Sequence, residues 1–141
     1  MSRIGTVVIS HGQLANELLS AAETVVGEQT HIKAVSIDWH DDVETCKSEI
    51  ARAIEDVSQG KGTVLLTDMF GGTPTNIAAM FLKPGEVEIV TGASLPMVVK
   101  AAAVEDDLSL IEFAQKLVEE GKDAIYRAAE LLEPQKLRKD A

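Results

Sequence analysis

The residues with the most chemistry in this sequence stand in two short segments, Ser10-His11-Gly12 and Asp68-Met69-Phe70-Gly71-Gly72-Thr73-Pro74. A neutral imidazole attacks through one nitrogen when the other gives its proton to a fixed carboxylate, which sets the tautomer and steadies the positive charge that develops. His11 and Asp68 are candidates for that pair. Gly71-Gly72-Thr73 leads into a helix start, where free backbone N–H groups and the positive end of the helix dipole suit a phosphate or another oxyanion. The Ser10 and Thr73 hydroxyls and the Gly12 amide are further candidate donors. Together these residues suggest a histidine that takes up a phosphoryl group. The same residues also fit a hydrogen-bonded structural histidine, a helix-capping aspartate and plain turn chemistry, and residue types alone leave both readings open.

For the pair to meet, the chain must bring two distant segments to one place. Short β-branched runs alternate with longer helical patterns, the signature of βαβ units and a mostly parallel sheet. Four strands are expected, at residues 4–10, 32–37, 63–67 and 87–91. The first, third and fourth are nearly continuous apolar runs, as strands covered on both faces should be. Leu14, Leu18, Leu19, Ala22, Val25 and Val26 recur at helical spacing, with Gly27 placed to end that helix. Val43, Cys46, Ile50, Ile54 and Val57 mark a second helix, with Asp41 and Glu44 as a capping-box variant. Thr73 before Pro74 predicts the N-cap of a third, running to about Leu82. Ser109 and Glu112 predict a capping box for a last helical region, interrupted at Gly121 and continuing to Leu132. In open parallel sheets the functional crevice lies beyond the carboxyl ends of the strands, where crossovers leave in opposite directions. His11 and Asp68 both follow strands and would emerge side by side there.

With 141 residues, the chain fits one domain, and a packed core is affordable at this size. We expect a domain over residues 1–133 and a solvated, charged tail over 134–141, without internal repeat or linker. The 13 basic and 23 acidic residues give a net charge of −10, which argues against nucleic-acid binding. The single cysteine, Cys46, excludes an internal disulfide and fits a reducing compartment, so a cytoplasmic location is expected. The apolar run 4–9 is too short for a signal-peptide core, and no stretch is long enough to cross a bilayer.

Other candidates carry less. Trp39-His40-Asp41-Asp42 gathers possible metal ligands but has no second cluster. His31 reads as a surface loop residue, and Cys46 as a buried, inert thiol. Gly60-Lys61-Gly62-Thr63 precedes a strand and lacks the glycine spacing of a nucleotide-binding loop.

Three segments, residues 4–12, Leu66-Thr-Asp68-Met-Phe-Gly-Gly-Thr-Pro-Thr-Asn76 and Thr91-Gly-Ala-Ser-Leu-Pro-Met97, resemble the IIA component of the mannose-family bacterial phosphotransferase system, in that family's order and across roughly residues 3–130. The resemblance implies an α/β fold, a doubly wound four-stranded sheet of order 2-1-3-4, and a homodimer. It implies that His11 is transiently phosphorylated by phospho-HPr, which enzyme I loads from phosphoenolpyruvate, and passes the group to a IIB component, with no cofactor or metal. By position Asp68 would orient His11, Thr73 would bind phosphate where many relatives have serine, and Phe70 would help wall the site. It also implies peripheral association with a membrane transporter, or a phosphorylation-dependent regulatory role. Ser94 stands where relatives often have asparagine. Some relatives exchange a C-terminal strand across the dimer, whereas residues 123–132 read as helix here, and the sequence carries no IIB domain.

Rival readings are the phosphotransfer subunit of a dihydroxyacetone kinase, which lacks the Phe-Gly-Gly-Thr-Pro stretch, and a non-catalytic module that holds an anion at Gly71-Gly72. A hydrolase with Ser10 or Ser94 as nucleophile and His11 as base is disfavoured, since adjacent strand residues point to opposite faces.

Overall fold

Strands form where β-branched and leucine side chains run together, and the four expected ones are present. A computed structural model describes residues 2–38, 40–104 and 107–132. It contains β1 (Gly5–His11), α1 (Leu14–Val26), β2 (Ile32–Ile37), α2 (Val43–Val57), β3 (Thr63–Thr67), α3 (Gly72–Ala78), a 3-10 turn (Ala79–Phe81), β4 (Val87–Val90), α4 (Leu95–Ala102) and α5 (Leu110–Asp123). The strands pair in parallel in the order β2-β1-β3-β4, as expected. The expected charged tail at 134–141 lies outside the described residues.

Alternation along β1 divides the core between the sheet's two faces. Ile4 and Val8 face one layer with Phe113 and Leu117 of α5 and Met97 and Val98 of α4. Val7 and Ile9 face the other, with Ile50 and Val57 of α2 and Ile77 of α3. At Gly5 the end of α2 packs close against the sheet. A Cβ there would lie 2.6 Å from Val57 Cγ2 and 2.8 Å from the Val57 carbonyl oxygen.

The helix ends correct several expectations. Asp42, not Asp41, is the N-cap of α2, its Oδ1 accepting from the Thr45 amide at 2.6 Å. Asp41 is engaged one step earlier, accepting from the Asp38 amide and closing the 38–41 turn. The N-cap of α3 is Gly71, not Thr73, so Thr73 and Pro74 lie inside the first turn. The Ser109–Glu112 capping box is present in both directions. α5 runs through Gly121 without a break, because the missing side chain there makes room for Met97, whose Sδ would lie 2.6 Å from a Cβ. Residues 125–127 leave the helix, and 128–132 are helical again. α4 has no counterpart among the expected elements. It is two turns of almost uniformly apolar residues, without the alternating polar face that marks a surface helix.

Candidate functional site

β1 and β3 are neighbours, with Ile9 opposite Thr67, so the residues leaving their carboxyl ends meet at the rim. From β1 the chain turns through α1 toward β2 on one face. From β3 it leaves through α3 toward β4 on the other. This is the switch point of the doubly wound sheet, and it holds His11 and Asp68 together as expected.

The Asp68 side chain is largely shielded, at 10% exposure, while that of His11 is 50% exposed. Asp68 Oδ2 accepts two bonds, from the His11 backbone N–H at 2.9 Å and from ring Nδ1 at 2.7 Å. Burial alone would raise the Asp68 carboxyl. The two N–H groups and the charge of His11 outweigh it and hold the carboxyl below its ordinary value. An ionised carboxylate only accepts, so in the neutral form of the ring Nδ1 carries the proton and the lone pair sits on Nε2. That nitrogen faces Gly72, where a Cβ would lie 3.2 Å away. Gly72 also has φ of +78°, a left-handed conformation that a glycine takes without strain. The position is doubly suited to glycine, by backbone and by space beside the imidazole.

Two expected phosphate donors are committed elsewhere. Ser10 is fully buried, and its hydroxyl accepts from the Ala15 amide at 2.6 Å while donating to the His11 carbonyl at 3.1 Å. The Gly12 amide donates to the Ile37 carbonyl at 2.8 Å. Both shape the loop that presents His11, and their protons are engaged within the chain. Thr73 is exposed in the first turn of α3, whose N-terminus no side chain caps. Phe70 is 83% exposed and stands where the rim meets an open groove of about 710 Å³, which runs beside the edge strand β4 and is also lined by Ile89, Val118 and Ile125.

Sequence reasoning missed two site-adjacent hydroxyls, Thr67 and Thr75, which bracket Asp68 from within. A threonine at the end of a strand or within a helix gives no signal of its own. His31 is corrected from surface to core. It is 1% exposed, with Nε2 3.2 Å from the Ala101 carbonyl of α4 and Nδ1 3.5 Å from Arg3. Cys46 is buried as expected, and burial followed by the nearby Asp41, Glu49 and Asp42 raises its thiol. Of the possible metal ligands, Asp38, His40 and Asp41 have ligand atoms within 4.8 Å of one another, Asp42 is a helix cap, and Trp39 lies outside the described residues. Among the described residues no helix is long and apolar enough to cross a membrane.

Comparison with known proteins follows the same residues. Residues 5–118 match the family model described as PTS system fructose IIA component. The chain is 30% identical over 124 residues to the PTS system mannose-specific EIIAB component of Escherichia coli (strain K12), over 86% of this chain and 38% of that protein. It therefore spans little more than a third of that relative's length. It is 24% identical over 131 residues to the PTS system fructose-specific EIIA component of Bacillus subtilis (strain 168), covering 92% of this chain and 90% of that one. The mannose/sorbose specific IIA subunit from Enterococcus faecalis superposes with a TM-score of 0.78 at 28% identity, over 89% of this chain and 94% of that one. A phosphotransferase system EIIA from Streptococcus agalactiae shares the fold, with a TM-score of 0.80 at 18% identity over 90% and 98% of the two chains. A doubly wound sheet that presents a carboxylate-held histidine at its switch point, and a family match across most of its length, lead to one assignment: the chain belongs to the mannose- and fructose-type family of phosphotransferase-system IIA components.

Proposed function

We propose that the chain is a phosphohistidine carrier, in which His11 Nε2 accepts a phosphoryl group from phospho-HPr and passes it to a IIB component. The observation that carries this reading is the 2.7 Å bond from Nδ1 to Asp68, which leaves Nε2 as the basic nitrogen of a half-exposed ring. In the forward step the Nε2 lone pair forms an N–P bond as the donor's N–P bond breaks and the donor imidazole leaves with its electron pair. The charge gained by the His11 ring is met by the Asp68 carboxylate, and Nδ1 keeps its proton. Transfer onward reverses these events at the acceptor.

Phosphoryl transfer of this kind has a loose transition state, so the protein's work is to hold donor and acceptor in line and to supply donors to the equatorial oxygens. The uncapped first turn of α3 offers the Gly72 and Thr73 amides and the Thr73 hydroxyl for that purpose. Gly71 shapes the approach. Phe70, exposed at the rim, excludes water once a partner docks over it.

A homodimer belongs to the same proposal. β4 is an edge strand whose outer side adjoins the groove, and the apolar lining of Ile89, Val118 and Ile125 suits a second copy of the chain. Peripheral association with a membrane transporter and a cytoplasmic location follow from the carrier role.

The test is to incubate the protein with phosphoenolpyruvate, enzyme I and HPr and to measure intact mass. One acid-labile phosphoryl group on the wild type and none on His11→Ala is expected. Absence of uptake from an HPr proven active on another acceptor, and from a cognate HPr as well, would overturn the carrier reading.

A further inference from the structure

The turn that carries Asp68 has little packing to hold it. Met69 is 55% exposed and Phe70 83%, and the chain then enters two glycines. What closes the turn is a pair of hydroxyls beneath it. Thr75 Oγ1 lies 2.9 Å from Thr67 Oγ1 and 2.5 Å from the Met69 carbonyl oxygen. Thr67 is fully buried and Thr75 is 8% exposed. A hydroxyl has one proton, and the carbonyl can only accept, so Thr75 donates to Met69 and accepts from Thr67. The chain of bonds therefore runs from the residue before Asp68, through Thr75, to the residue after it.

We propose that Thr75 is a positioning residue for the His11–Asp68 pair, acting through this hydroxyl bridge across the Asp68 turn. The proposal rests on the reading of His11 as the phosphoryl carrier. Asp68 Oδ2 must receive the backbone N–H and the ring N–H of His11 at once, which fixes the carboxylate in both direction and depth. The neighbouring backbone is tied to the sheet by Asp68 N–H to the Ile9 carbonyl at 3.2 Å and by Ala93 N–H to the Thr67 carbonyl at 2.9 Å. Both ties lie at or before Asp68. The Thr75 hydroxyl supplies the tie after it, and it also fastens the start of α3, with its first-turn amides, to the same strand end. Without the hydroxyl, the Met69 peptide is free to rotate, and the carboxylate turns with it. Nδ1 then loses its fixed acceptor, and the ring samples both neutral tautomers.

The experiment compares Thr75→Val, which keeps the shape and removes the hydroxyl, with Thr75→Ser, which keeps the hydroxyl and removes the methyl. Two readouts are taken well below each variant's melting temperature. One is the 15N signals of the His11 ring in the unphosphorylated protein at mildly alkaline pH, which report the tautomer directly. The other is the single-turnover rate of phosphoryl uptake from phospho-HPr. We expect Thr75→Val to show a mixed tautomer and a rate lower on the order of tenfold, with Thr75→Ser close to wild type in both. A wild-type tautomer in Thr75→Val overturns the proposal whatever its rate, and so does a serine variant as impaired as the valine one. Failure of the wild type to take up phosphate would sink the carrier reading, while the tautomer comparison would still decide the role of Thr75.

Discussion

His11 has two ring nitrogens in unlike surroundings, one against a shielded carboxylate and one beside Gly72 at the start of α3, and the proposed chemistry follows from that asymmetry. Asp68→Asn keeps the size of the side chain but removes the charge that opposes the developing imidazolium. We expect phosphoryl uptake to slow by roughly 10²- to 10⁴-fold, measured in a single turnover, with the fold intact. A rate within a few-fold of wild type would show that Asp68 does not act electrostatically. His31 makes a separate prediction about pH. Burial lowers its proton affinity, the Ala101 carbonyl raises it, and the Arg3 charge lowers it again, with a net shift below 6.5. Folding thus favours the neutral ring. This contribution is present above pH 6.5 and fades as pH falls below that value toward the folded-state one. The shift at Asp68, also downward, acts only below pH 3.8 and so leaves this window clear. Melting temperatures between pH 7.5 and 5 should fall more steeply for wild type than for His31→Gln, whose amide is able to donate to the same carbonyl. Equal slopes would refute the assignment. The His11–Asp68 pair was legible in the sequence because both residues follow recognisable strands. The donor roles expected of Ser10 and Gly12 run against their hydrogen bonds, since the Ser10 hydroxyl donates to the His11 carbonyl and the Gly12 amide to the Ile37 carbonyl, partners that spacing does not reveal.

Among the elements, the contact of β1 with α2 is the tightest constraint. A Cβ at residue 5 meets a backbone carbonyl at 2.8 Å, which a rotamer change cannot relieve. Gly5→Ala should destabilise the protein by about 1–3 kcal/mol, read as a lower urea midpoint, by overpacking at a site where the helix end cannot retreat freely. The opening of α5 is a milder case. Ser109→Ala removes the oxygen that receives the Glu112 amide and should cost about 1 kcal/mol. A change within error would mean that water replaces the cap. That cap was legible because serine and glutamate three residues apart define it locally. α4 was not, since eight mostly apolar residues carry no helical period that distinguishes them from a buried strand or loop. The misreading of His31 follows from the same omission, because the carbonyl that accepts from it belongs to α4.

For the whole molecule, the class of fold was readable from alternating strand and helix patterns, and the strand order from the resemblance. The resemblance implied a homodimer but not the surface that forms it, since an edge strand looks like any other strand until its neighbours are known. We expect light scattering to give twice the chain mass at micromolar concentration. With a net charge of −10 on each copy, the dimer should tighten as salt screens the repulsion. Ile125→Asp, at an 81% exposed position lining the groove, should yield monomers that keep the His11–Asp68 pair. A wild type that stays monomeric would end the dimer proposal. The parallel sheet has one more consequence. β1 starts at Gly5 and finishes at His11, so the strand is itself a spacer of roughly 20 Å between its first residue and the histidine proposed to carry the phosphoryl group. A label, bead or fused protein attached ahead of Gly5 hangs from the far rim and leaves the histidine open to visitors. Several copies tethered that way to one surface would all hold their histidines outward, ready to be loaded in parallel.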